Sequence, residues 1–232
     1  MMVDARNLST ARRLAADPAR DFVRTHAMLG RTELVPELQI HLAREAFGIF
    51  QEAEKIAAER PYWAFAWSGG QALARFIIDN PATVAGRRVH DIGSGSALTA
   101  IAAMRAGAVH AVAADTDRVA CAAAALNALA NGVEVEVTAD DLLAEDLDTD
   151  LIVIGDLFYE PELVTRVSAF LERACRRGTP VLFGDRVTSR RPPVEMTQIA
   201  EYAAALTPQL EIGYVDQARV WRLMPAARSR QP

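Results

Sequence analysis

At 232 residues, with 51% hydrophobic and 24% charged side chains, the chain has the size and composition of one soluble α/β domain with a short appendage. Its formal net charge of −5 speaks against a broad phosphate-binding surface, and so against nucleic acid as a partner. Two cysteines (Cys121 and Cys175) are too few for a disulfide scaffold, the four histidines lack metal-ligand spacing, and no long apolar run occurs. We therefore expect a cytoplasmic protein in a reducing compartment, bound neither to a membrane nor to a metal.

Residues 1–60 read as a helical lead-in, with helical pieces at Thr10–Ala16 and Ala19–Met28. From Glu37 to Glu59, Leu38, Leu42, Ala46, Ile49, Ala53 and Ile56 recur at helical spacing until Pro61 stops the pattern. The main domain is expected over 61–225. It opens on PYWAFAWSGGQALARFIIDNP, where Tyr62, Trp63, Phe65 and Trp67 precede Gly69-Gly70 and a short helix. An indole face there suits a bound cation, worth about 1 kcal/mol of cation–π attraction.

Next comes RVHDIGSGSALTAIAAM (Arg88–Met104): a buried strand to Ile92, a tight turn through Gly93 and Gly95, and an apolar helix. Strand, glycine turn and helix are the opening of a nucleotide-binding βα unit. A dinucleotide fingerprint would need a third glycine where Leu98 stands, which disfavours a NAD-dependent dehydrogenase. Asp91, near the strand's end, suits a cationic or hydroxyl-bearing ligand better than a pyrophosphate. A second strand, Ala108–Ala114, closes with Asp115, placed to accept both ribose hydroxyls, while Asp117 suits the N-cap of the next helix. After a third strand at Val133–Thr138, Asp141 or Asp140 is a candidate for the exocyclic amine of an adenine.

Leu151–Gly155 is a wholly apolar central strand ending in Asp156-Leu157-Phe158-Tyr159, and Pro161 starts a helix that runs to Gly178. A fifth strand at Thr179–Phe183 ends in Gly184-Asp185-Arg186. A helix over Val194–Leu206 and a closing hairpin, Leu210–Val215 with Ala218–Leu223 turning at Asp216-Gln217, would complete the domain, leaving 226–232 as a polar tail. The expected fold is α/β: a doubly wound, Rossmann-like, seven-stranded sheet with an antiparallel terminal hairpin.

The turn D-I-G-S-G-S-A resembles the first motif of class I S-adenosylmethionine-dependent methyltransferases, with Ala97 in place of the last glycine. Together with PYWAFAWSGGQALARFIIDNP, GDLFYEPEL and Val220-Trp221, it is similar to the electron transfer flavoprotein β-subunit lysine methyltransferases, which are related to ribosomal protein L11 methyltransferases. Glu160 stands where that family tends to have aspartate. The resemblance implies that Trp67, Asp91, Gly93, Gly95 and Asp115 contact S-adenosylmethionine, and that Asp156 and Tyr159 line the way in for an acceptor lysine of the flavoprotein β subunit. The other readings left open are a methyltransferase for a ribosomal protein or a small-molecule amine, and a non-catalytic S-adenosylmethionine-binding interaction protein.

Overall fold

Strands buried along their whole length need cover on both faces, and the sequences RVHDI, HAVAA and LIVIG are buried or half-buried at every position. The computed structural model describes residues 17–56, 58–158, 160–186, 194–205 and 215–223. These three segments form β3 (Arg88–Ile92), β4 (His110–Ala114) and β6 (Leu151–Gly155), flanked by β5 (Glu136–Thr138) and β7 (Val181–Arg186). With β8 (Met196–Ala205) and β9 (Val215–Leu223) they build one seven-stranded sheet in the order β5-β4-β3-β6-β7-β9-β8. The first five strands in that order run parallel, and β9 is antiparallel to both of its neighbours.

Helices α3 (Ser68–Asp79), α4 (Leu98–Arg105) and α5 (Arg118–Ala130) cover one face. Leu73, Ile77, Ile101 and Ala124 meet Val89, Val153 and Leu182 there. The other face packs Ile92, Ile152, Ile154 and Phe183 on Phe170 and Leu171 of α6 (Pro161–Arg177). The doubly wound sheet with its antiparallel terminal pair is the fold expected.

Two segments differ from expectation. Residues 196–205 are a strand and not a helix; β8 pairs with β9 along its length, with a bulge between Gln198 and Ala200. One inserted residue breaks the two-residue alternation, so Met196, Ile199 and Ala200 fall at intervals that imitate a helix. The hairpin is therefore β8 with β9, and Asp216 and Gln217 are mid-strand partners of Ala204 and Ala203. Of the expected strand Leu210–Val215, residues 210–214 lie outside the described residues, as do the helical piece at Thr10–Ala16 and the tail 226–232.

The lead-in holds helices α1 (Pro18–His26) and α2 (Ala46–Lys55), but between them stands a hairpin, β1 (Ala27–Gly30) with β2 (Ile40–Ala43). Asn127 of α5 and Asn131, the C-cap of that helix, explain why residues 39–43 are extended. Asn131 Oδ1 accepts from Gln39 N–H (2.9 Å) and its Nδ2 donates to Gln39 C=O (2.6 Å), imitating a strand partner. Asn127 Oδ1 accepts from His41 N–H at 2.8 Å. Phe22, Val23, Ala43, Ala46 and Ile49 then share a core with Trp63, Phe65, Val119, Ala123 and Leu126.

Candidate functional site

In an open parallel sheet, ligands bind beyond the carboxyl ends of the strands, where the chain order reverses. Here β3, β4, β6 and β7 open at that end into a cleft of about 760 Å³, within the range of small-molecule sites. Trp67, Asp91, Gly93, Gly95, Asp115 and Asp156 all line it.

The floor is the turn after β3. Gly93 (φ 64°) and Gly95 (φ 50°) are left-handed, a conformation that glycine adopts without steric cost. A methyl group on Gly93 would lie 2.4 Å from Leu157 Cδ2, so the turn also accommodates a neighbour. The N–H groups of Gly93 and Ser94 donate to the Ala114 carbonyl at 2.8 and 3.0 Å, tying the turn to the end of β4. Ala97 is left-handed as well (φ 59°), but it is 0% exposed in the core and does not line the cleft. Its departure from glycine therefore puts no methyl in the ligand's way.

Carboxylates ring this turn. Asp91 is 2% exposed and accepts from Ala100 N–H at 3.0 Å, in the first turn of α4. Burial pushes its carboxyl up to about 7, the Ala100 N–H pulls against the rise, and Asp115 adds to it. Asp115 accepts from Gly95 N–H (2.8 Å) and from Asp117 N–H (3.0 Å), and burial raises it too. Asp117 caps α5 through Val119 N–H at 2.7 Å and is pushed up to about 6, chiefly by burial.

Asp156 follows β6 in the left-handed region, at φ 51°. That twist turns its carboxylate under the start of α3, where Oδ2 accepts from Gly70 N–H at 2.8 Å. Oδ1 is buried with no hydrogen-bond partner among the described residues, a costly state for a carboxylate unless a donor arrives. Burial pushes this carboxyl up to about 7; the Gly70 N–H and Arg186 pull it down, and Asp185 pushes it up. Asp185, 1% exposed, accepts from the indole N–H of Trp221 at 2.7 Å, which gives the terminal Val-Trp pair its place. Trp67 donates its own indole N–H to the Tyr62 carbonyl (2.9 Å) and packs edge-on against Tyr62 and Phe65.

Asp141 does not line the cleft: it caps the short 3-10 turn after β5 through Leu143 N–H (3.1 Å) and pairs with Arg166. Asp140 accepts from Thr138 Oγ1 at 2.7 Å instead. Tyr159 lies outside the described residues. The sequence reading missed Leu157, which packs over Gly93, and Arg186 one residue past Asp185. It also missed Glu59 and Arg60, which line the mouth just before the aromatic block. Among the described residues no group of three or more His, Cys, Asp or Glu could hold a metal.

The raised carboxyls make a prediction about the protein without ligand. Unfolded, Asp91 and Asp156 ionise near ~4, whereas folded they keep their protons to about 7. The folded state thus binds more protons in that window, so stability falls as pH rises from about 4 to about 7. Asp148 and Asp150, lowered by hydrogen bonds from Arg88, act in the other direction, but below that window. Asp91→Asn should raise the melting temperature at pH 8 and leave it unchanged near pH 4, a difference of up to about 4 kcal/mol. A difference between parent and variant that stays constant across the pH range would show that folding leaves the Asp91 carboxyl at its ordinary value.

Residues 74–161, which carry the glycine turn and Asp156, match the ribosomal protein L11 methyltransferase family. The electron transfer flavoprotein beta subunit lysine methyltransferase of Xenopus laevis is 35% identical over 221 residues, 92% of this chain and 90% of that protein. The chain belongs to the electron transfer flavoprotein beta subunit lysine methyltransferase family. Its Mus musculus member is 36% identical over 200 residues, covering 83% of this chain and 78% of that protein. Among solved structures, a T. thermophilus 16S rRNA methyltransferase in complex with AdoMet and guanosine shares the fold. Its TM-score is 0.55 at 16% identity, over 85% of this chain and 50% of that one.

Proposed function

We propose that this chain transfers methyl groups from S-adenosylmethionine to lysine side chains of an electron transfer flavoprotein β subunit. What carries the reading is the buried, unpartnered Asp156 Oδ1 in the same cleft as a glycine turn ringed by carboxylates. Such a cleft suits cations, and both reactants are cationic at neutral pH. The cofactor supplies a methyl group on a positively charged sulfur. Asp115 takes the ribose hydroxyls, Asp91 and the backbone of Gly93 and Gly95 hold the amino acid end, and Trp67 offers an indole face. Asp141 remains a candidate for the adenine only if it leaves Arg166.

Lysine is protonated at neutral pH and must lose a proton before it can attack. A carboxyl near 7 is matched to that task better than an ordinary aspartate. Asp156 Oδ1 would therefore accept an N–H of the incoming lysine and take up its proton, which would free the nitrogen lone pair for attack. Tyr159 is the second group the sequence offers for orienting the amine. A carboxylate-rich cleft also favours a lysine-bearing surface over a polyanion. The free thiols Cys121 and Cys175 fit a reducing, cytoplasmic setting; among the described residues no helix is long and apolar enough to cross a membrane.

Asp115→Ala should weaken binding of S-adenosylhomocysteine by roughly ten- to hundredfold, the loss of a charged hydrogen-bond acceptor. Calorimetric titration checks this, and unchanged affinity would remove Asp115 from the site. The substrate itself is tested by mass spectrometry of the flavoprotein β subunit from cells with and without this protein, for methyl additions on lysine. An unmodified subunit in both, with a ribosomal protein carrying the difference, would overturn the acceptor and leave the chemistry standing.

A further inference from the structure

The cofactor turn is held from two sides. On one, Asp115 takes the Gly95 N–H. On the other, Asn127 donates its Nδ2 to the carbonyl of Ser96 at 2.9 Å, from the last turn of α5, where it is 0% exposed. Its remaining atom, Oδ1, accepts from both His41 N–H (2.8 Å) and His41 Nδ1 (2.7 Å). Two donors on one atom and a carbonyl on the other fix the orientation of the amide, and make His41 Nδ1 the protonated ring nitrogen. One buried side chain therefore ties Ser96, which lines the cleft, to β2 in the lead-in.

Between these anchors the backbone is under load. Gly93, Gly95 and Ala97 alternate into the left-handed region, and for Ala97 the Cβ makes that conformation unfavourable. Residues in such conformations persist where their surroundings over-determine them. The carbonyl that Asn127 holds belongs to the residue directly before Ala97.

We infer that Asn127 is a positioning residue for the cofactor, keeping the turn of Gly93–Ala97 in its binding shape and coupling it to the lead-in hairpin. This rests on the cleft being the cofactor site. In consequence the lead-in acts on cofactor affinity, beyond any part in substrate recognition. Asn131 provides an internal control, since it clamps the same hairpin through Gln39 but makes no bond to the turn.

The test measures S-adenosylhomocysteine affinity by calorimetry in the parent, Asn127→Ala, Asn131→Ala, and Asn127→Ala combined with Ala97→Gly. Asn127→Ala should weaken binding about tenfold, and Asn131→Ala by less than about twofold at a comparable loss of thermal stability. Because glycine relaxes the left-handed position, Ala97→Gly should restore most of the affinity lost in Asn127→Ala. Equal weakening by Asn127→Ala and Asn131→Ala, or no rescue by glycine, would overturn the inference. Hydrogen exchange on the parent gives a second reading that needs no variant to fold. Saturating S-adenosylhomocysteine should slow exchange of the His41 amide, and an unchanged rate would overturn the coupling. If the parent does not bind S-adenosylhomocysteine at all, the cofactor reading itself falls. Binding by the parent with full affinity in Asn127→Ala overturns the linkage alone.

Discussion

Gly184→Ala should cost the folded protein about 3 kcal/mol or more, at the upper end of overpacking penalties. A Cβ at Gly184 would sit 2.2 Å from the carbonyl oxygen of Gly69 and 2.9 Å from its carbon. Conversely, a Cβ on Gly69 would lie 2.6 Å from the Gly184 oxygen and 2.7 Å from both carboxylate oxygens of Asp156. These are contacts of backbone on backbone, so no rotamer change relieves them, and α3 as a whole must lift off the sheet. At this chain length the loss corresponds to a fall in melting temperature of roughly 6–12 °C. Gly70→Ala is the matched control, because nothing lies within 4 Å of its Cβ position and alanine favours a helix. A shift at Gly184 no larger than that at Gly70 would mean that α3 slides freely.

The second large effect is on turnover. Asp156→Asn keeps the shape of the side chain and an oxygen for the Gly70 N–H, and asparagine tolerates the left-handed backbone at φ 51°. What it removes is the charge and the ability to hold a proton. Methyl transfer should therefore fall by about a hundredfold or more, with S-adenosylhomocysteine affinity held within a few-fold and thermal stability equal or higher. Turnover near that of the parent would reduce Asp156 to a cap for α3. Loss of cofactor affinity in step with rate would move it to the cofactor's side of the cleft.

The parallel half of the sheet was legible from apolar runs such as Leu151–Gly155 and from the glycine or acidic residue at or next to the ends of β3, β4 and β6. Asp91, Gly93, Gly95, Asp115 and Asp156 follow from that rule together with the chain reversal at β3. Other features depend on partners far away in sequence. Residues 39–43 are extended because Asn127 and Asn131 capture them from about 90 positions further on, against the helical spacing of their apolar residues. In β8 a bulge disguises the alternation, and pairing with β9 decides the outcome. Asp141 obeys the strand-end rule, yet a 3-10 turn and Arg166 engage its carboxylate locally. The seat of Asp156 beneath Gly70, 86 residues away, has no local signature either.

The contact of Gly69 with Gly184 also bears on how a spent cofactor would leave. Helix α3 lies backbone to backbone against β7, and Gly155 comes within 3.1 Å of Gly70 Cα at the position of a Cβ, so this wall has no room to rock. At the mouth the lining is made of side chains instead: Glu59 and Arg60 precede the aromatic block, and Arg60 Nη1 donates to Tyr62 Oη at 3.3 Å. A wall built of backbone contacts cannot widen without a helix or a strand shifting with it, so on the α3 side the cleft keeps its width whether it is loaded or empty.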